Sequence, residues 1–158
     1  MTLTIVPLMP IERGQLNVMY ARGAGMALAL IVPAGIAEFA IADRLPVHGA
    51  IAGVAVLLGI WLAIISPPRR WRHWGYAFTG GELHVAHGWW TQVHTIVPVV
   101  RVQHIDVAQG PLERSFGVAR LMLHTAGTDQ TVVTLPGIAR ATAEEIRDVI
   151  RTRIGSAA

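Results

Sequence analysis

Two stretches of the chain are apolar without any period. Residues 23–42 (GAGMALALIVPAGIAEFAIA) hold a single charge, Glu38, and residues 47–65 (VHGAIAGVAVLLGIWLAII) hold none. As helices rising 1.5 Å per residue, each reaches about 30 Å, enough to cross a bilayer's hydrocarbon core once. Only Asp43, Arg44, Leu45 and Pro46 separate them, so they are expected to run antiparallel as a hairpin. Helices apolar all round could not be covered by the other residues of a soluble bundle. The first run also exceeds the roughly 7–15 residues of a signal-peptide core, and a second span follows it directly. Arg13 and Arg22 precede the hairpin, Arg69, Arg70 and Arg72 follow it, and the loop sets one Arg beside one Asp. That asymmetry predicts both termini in the cytoplasm, with residues 1–22 a cytoplasmic segment and 23–65 the two-span hairpin. Pro67 and Pro68 are expected to end the second span.

From residue 66 the period changes to two, broken by turn residues at short intervals. Strands are expected at 74–78, 82–87, 91–97, 99–108, 118–125 and 130–135. Within 99–108 the apolar parity switches from Val100 and Val102 to Ile105 and Val107, which predicts a bulge near Gln103 and His104. Residues 111–116 suit a single helical turn with Pro111 at its start, and Gly117 permits a tight reversal. Residues 126–129 read as a turn, and Pro136 with Gly137 as the end of the strands. Thr142 and Glu145 form a capping box for a final helix. Its apolar stripe is Ala143, Ile146, Val149, Ile150 and Ile154. The expected fold class is α+β: a transmembrane hairpin, then at 66–158 a small open antiparallel barrel or pair of sheets closed by a C-terminal helix.

Composition narrows the function. The chain has 158 residues, 53% hydrophobic and 15% charged, with a mean hydropathy of +0.47. All 13 basic residues are Arg, yet the net charge is only +3, and no basic stretch with interleaved aromatics suggests a nucleic-acid partner. Cysteine is absent, which excludes disulfides and thiolate chemistry. No serine sits in a nucleophile elbow, and there is no phosphate loop or zinc-protease motif. No catalytic residue and no cofactor is therefore predicted. His84 and His87 are the nearest histidine pair, but three residues apart on a strand they face opposite ways, so no metal site is expected.

The stretch RVQHIDVAQGPLERSFGVARLMLHTAG, residues 101–127, resembles the signature of bacterial pleckstrin-homology (PH)-like domains of the YdbS family. Arg101, Gln103, Gln109, Arg114, Gly117 and Thr125 occur in its order, and the two upstream spans and Val97-Pro98 also match. The resemblance implies a PH-like barrel on a membrane hairpin, frequently partnered with a larger membrane protein holding several such domains. It implies no enzyme.

Arg101, Gln103, Gln109 and Arg114 are the candidate ligand- or partner-binding set, because Arg offers paired donors to carboxylate or phosphate and Gln both donates and accepts. A structural role competes with this, in which an Arg from the turn holds the loop through Glu113 or Asp106. Arg69, Arg70 and Arg72, with Trp71 and Trp74, are expected at the membrane surface beside Trp61. Trp89 and Trp90 are adjacent on a strand, so one is expected in the core and the other exposed to a partner or membrane. Glu38 lies near the far interface and is expected to reach water. Pro33 is expected to bend its helix, and the glycines of the spans offer faces for close packing. The expected function is a non-catalytic binding or assembly module at the inner face of the bacterial cytoplasmic membrane, pairing with itself or with a multi-domain membrane partner. Anionic-lipid sensing and an accessory role in a transporter or envelope enzyme are the alternatives.

Overall fold

A computed structural model of the protein describes residues 6–41, 48–125 and 132–156. The expected 43–46 loop, the 126–129 turn and the start of the strand at 130 lie outside them. The chain divides into two units, one of residues 16–69 and the other of residues up to 15 together with 70 onward.

The first unit is helical. Helix α1 (Arg13–Ala40) begins ten positions before the apolar run and contains Pro33. Helix α2 (Ala50–Ile60) continues through a π-helical turn, Trp61–Ile65, into α3 (Ser66–Arg72). The two helical rods are long and apolar enough to cross a membrane. Pro67 and Pro68 do not end the second rod. They leave the carbonyls four residues back without their usual donors, and the wider turn just upstream, where Ser66 N–H bonds Trp61 O, lets the helix pass them. Contacts step down the hairpin in opposite directions. A Cβ on Gly23 would lie 2.5 Å from Leu62 O, and one on Gly59 would lie 2.7 Å from Ile31 Cδ1. Ala27 and Ala55 are buried at the same seam. Gly25, Gly35 and Gly53 instead face open space, while Phe39, Ile36 and Leu57 are exposed, as side chains solvated by lipid would be.

Glu38 does not reach out to water. Its side chain is 8% exposed and accepts hydrogen bonds from the backbone N–H groups of Gly49 and, at 2.7 Å, Ala52. Those are among the donors that the start of α2 leaves without intrahelical partners, and a carboxylate also complements the positive end of the helix dipole.

The second unit is built from two antiparallel sheets. One is ordered β1 (Met9–Pro10), β2 (Gly75–Phe78), β3 (Glu82–His87) and β4 (Val93–Pro98). The other is ordered β5 (Val102–Ala108), β6 (Val118–Thr125) and β7 (Val132–Ala139). Among the described residues no ladder joins the two sheets, so they do not close into a barrel. A 3-10 turn, Val99–Arg101, takes the first three positions of the strand expected at 99–108, so that β5 starts only at Val102. The bulge falls where the parity switch placed it, between Val102 and His104. A short helix, α4 (Pro111–Ser115), starts with Pro111, and Gly117 makes the reversal with φ 70°.

Strand β7 runs on through Pro136 and Gly137, opposite a bulge between Ala119 and Arg120. It is an edge strand, where a residue without an N–H costs no ladder bond on its free side. Helix α5 (Arg140–Ser156) therefore starts directly after β7, and Thr142 lies inside it rather than capping it. Ala143, Ile146 and Ile150 enter the core with Leu83, Leu121 and Leu135. Val149 of the predicted stripe stays exposed.

The leading segment belongs to this unit. Ile11 is 2% exposed within the core, Met9 pairs with Tyr76 and Pro10 with Gly75. Glu12 N–H bonds Gly137 O at 2.8 Å, and Trp71 Nε1 donates to Glu12 O at 3.1 Å. Gly14 fits because a Cβ there would meet Phe116 O at 2.3 Å.

Candidate functional site

The four polar residues singled out in the sequence are not brought together. Arg101 is exposed on the 3-10 turn and Gln103 is exposed on β5. Gln103 borders a 570 Å³ cleft with Arg147 and Arg151 of α5. Gln109 and Arg114 border a separate 260 Å³ cleft with Arg140, Glu144 and Arg147. Gln109 Nε2 donates to Val118 O at 3.0 Å, which ties the end of β5 to the start of β6. The guanidinium that holds the turn comes from β6. Arg120 Nε stands 3.0 Å from Glu113 Oε1, while Glu113 Oε2 accepts the Gly110 N–H at 2.7 Å. Glu113 is 1% exposed, so this carboxylate is structural and Arg114 is left at the surface.

Arg140, Arg147 and Arg151 were missed in the sequence, although their spacing of seven and four puts them on one helix face. Their charge is partly offset, since Arg140 pairs with Glu144 and Arg147 with Asp148, each at 2.8 Å. On the second sheet Asp106 lies between two imidazoles, 2.9 Å from His104 Nε2 and 3.2 Å from His124 Nε2. Among the described residues no group of three His, Asp or Glu is placed to hold a metal ion. His84 is buried beside Glu82, whereas His87 stacks on Trp74 with ring centroids 4.7 Å apart.

Of the residues expected at the membrane surface, Arg69 lies over the Trp61 ring at 5.1 Å, and Arg70 and Arg72 are exposed. Trp71 and Trp74 pack against the domain core. Arg72, His73 and Trp74 line a 460 Å³ cleft with His87, Val93 and His94. Trp89 and Trp90 do not divide between core and solvent. They follow β3 in a turn, 46% and 89% exposed, with ring centroids 6.1 Å apart, edge to face.

Some exposed apolar residues also lie on or next to the last strand of the first sheet. Strand β4 is its last strand, and Val93, Ile96 and, just beyond it, Val100 are exposed. Among the described residues no strand pairs with one edge of β4, which lies beside exposed apolar side chains, the arrangement that accepts an added strand. Tyr76, on the inner face of β2, has its hydroxyl pKa raised above 10.0, first by burial and then by the Glu12 charge.

An antiparallel two-sheet domain closed by a C-terminal helix, continuous with two membrane-length helices, defines a PH-like membrane protein. The bacterial PH domain family profile matches residues 24–154, and the chain belongs to that family. It is 33% identical over 104 residues to the UPF0699 transmembrane protein YdbS of Bacillus subtilis (strain 168), an alignment covering 66% of this chain and 64% of that protein's length. No solved structure matches the chain.

Proposed function

We propose that this protein is a non-catalytic assembly module of the bacterial cytoplasmic membrane, with both termini in the cytoplasm, that joins a second PH-like domain through the free edge of β4. The partner domain belongs to another copy of the chain or to a larger membrane protein with several such domains. The observation that carries this reading is the β4 rim, where Ile96 is 50% and Val100 84% exposed beside a strand edge that no other described strand pairs. Confinement to one membrane raises the effective concentration of such partners, so a modest edge-to-edge affinity suffices.

Because the chain has no cysteine, the test is a single Thr95→Cys on β4 in the full-length protein in native membranes. A thiol-reactive crosslinker should join it to another copy or to a second PH-domain membrane protein, and Ile96→Lys should abolish that product. An uncrosslinked protein, or a product indifferent to Ile96→Lys, refutes the reading. The cluster of Arg114, Arg140 and Arg147 around one cleft favours a second function, sensing of acidic lipid. It predicts that the full chain retains phosphatidylglycerol over phosphatidylcholine, in a salt-dependent way that Arg147→Gln weakens. The pairing of Arg140 and Arg147 with acidic neighbours ranks it second.

A further inference from the structure

The register of the first sheet says where the tryptophan turn lies. Pro10 is opposite Gly75, Gly75 is opposite Ala86, and His87 is opposite Val93. These rungs form one end of the sheet. At that end the chain enters β2 from α3 across only His73 and Trp74, and leaves β1 for α1 across only Ile11 and Glu12. The turn at 88–92 projects from the same end. Arg72 and Trp89 are each three residues from the Gly75–Ala86 rung, which even a fully extended chain would span in no more than about 10 Å. Arg72 also shares its cleft with Gln92, Val93 and His94.

We propose that Trp89 and Trp90 dip into the headgroup region of the bilayer that the two apolar helices cross, as a second membrane contact besides the helices. Arg69, Arg70 and Arg72, which close the second helical rod, mark the level of the headgroups, where arginines settle beside anionic lipid. Tryptophan favours that layer because its ring is apolar while its N–H still finds water or phosphate. The turn is uncharged from Gly88 to Val93, so inserting it strips no ion of water. Its shape is specified too. Gly88 has φ 111°, and a Cβ there would meet Thr91 O at 1.9 Å. The two rings are thus presented by a tight reversal rather than by a loose loop. A protein partner on the same turn is the competing occupant, and the covalent route from the helices to this end of the sheet favours lipid.

The test uses the full chain in lipid nanodiscs with one spin label, at Thr91→Cys, and a control label at Glu145→Cys on α5. The Thr91 label should collide more with oxygen, which concentrates in the bilayer, than with a water-soluble nickel chelate, and the Glu145 label should show the reverse. Trp89→Ser with Trp90→Ser should return the Thr91 label to the control ratio. A Thr91 label as accessible to nickel as the control overturns the proposal. So does a label shielded from both reagents, which would place the turn against protein. If the double substitution fails to fold, the label beside the native tryptophans gives the answer alone.

Discussion

Removing the Glu113 carboxylate should loosen the whole β5–β6 connection. The side chain is 1% exposed, one oxygen accepts the Gly110 N–H at 2.7 Å, and the other lies 3.0 Å from Arg120 Nε. Glu113→Ala deletes a hydrogen bond to a charged acceptor, which contributes about 1.5–3 kcal/mol. The ion pair adds less than a fully buried one would. The Arg120 side chain is 37% exposed and can turn to water when its partner goes, so about 1 kcal/mol is the appropriate share. The total, about 3 kcal/mol, corresponds to a fall in Tm of about 12 °C or more for a domain of this size. Glu113→Gln keeps an oxygen for Gly110 but turns an NH2 towards Arg120 and so loses the ion pair, at a cost of about 1 kcal/mol as the half-exposed guanidinium turns away. The assay is thermal unfolding of the full chain in nanodiscs, followed by near-ultraviolet circular dichroism of the domain's aromatics. An Ala variant that melts within about 2 °C of the parent would show that the turn is held by packing alone.

Two further results are expected. Gly59→Leu, where a Cβ already meets Ile31 Cδ1 at 2.7 Å, should destabilise the helical hairpin by about 1–3 kcal/mol, while Gly53→Leu, facing open space, should not; midpoints of unfolding in SDS decide, and equal shifts would refute the packing assignment. Tyr76 should ionise above 10.0 because burial and then Glu12 disfavour its phenolate. Stability should hold below the unfolded pKa of about 10 and fall as pH rises from there towards the folded value, because the unfolded chain releases that proton first. Phenolate absorbance and alkaline melting report it, and Tyr76→Phe should flatten the slope.

The helices were legible because continuous apolarity is a local property of the chain, and the β5 bulge because a change of parity cannot be accommodated any other way. The inner face of α5 was legible for the same reason, apart from Val149, which the helix turns to solvent. What escaped the sequence depends on residues far apart. A two-residue strand at Met9–Pro10 has no period to recognise, and Ile11 joins the core only because β2, more than sixty residues later, offers it a place. Pro67, Pro68 and Pro136 read as terminators by local rules, yet a π turn carries the helix past the first two and a free sheet edge tolerates the third. The candidate site suffered most. Arg120 rather than Arg114 reaches Glu113, because strand direction and not proximity in sequence decides which guanidinium points inward.

The placement of β1 and β2 makes the helical hairpin an insertion inside the two-sheet domain, since one of these partner strands precedes the helices and the other follows them. During synthesis Met9, Pro10 and Ile11 emerge before their partner strand and must wait until both helices and β2 have been made. A fragment cut at residue 66 would lack one of its own strands along with Ile11, so studies of the isolated domain should splice residues 6–12 back onto it through a short linker.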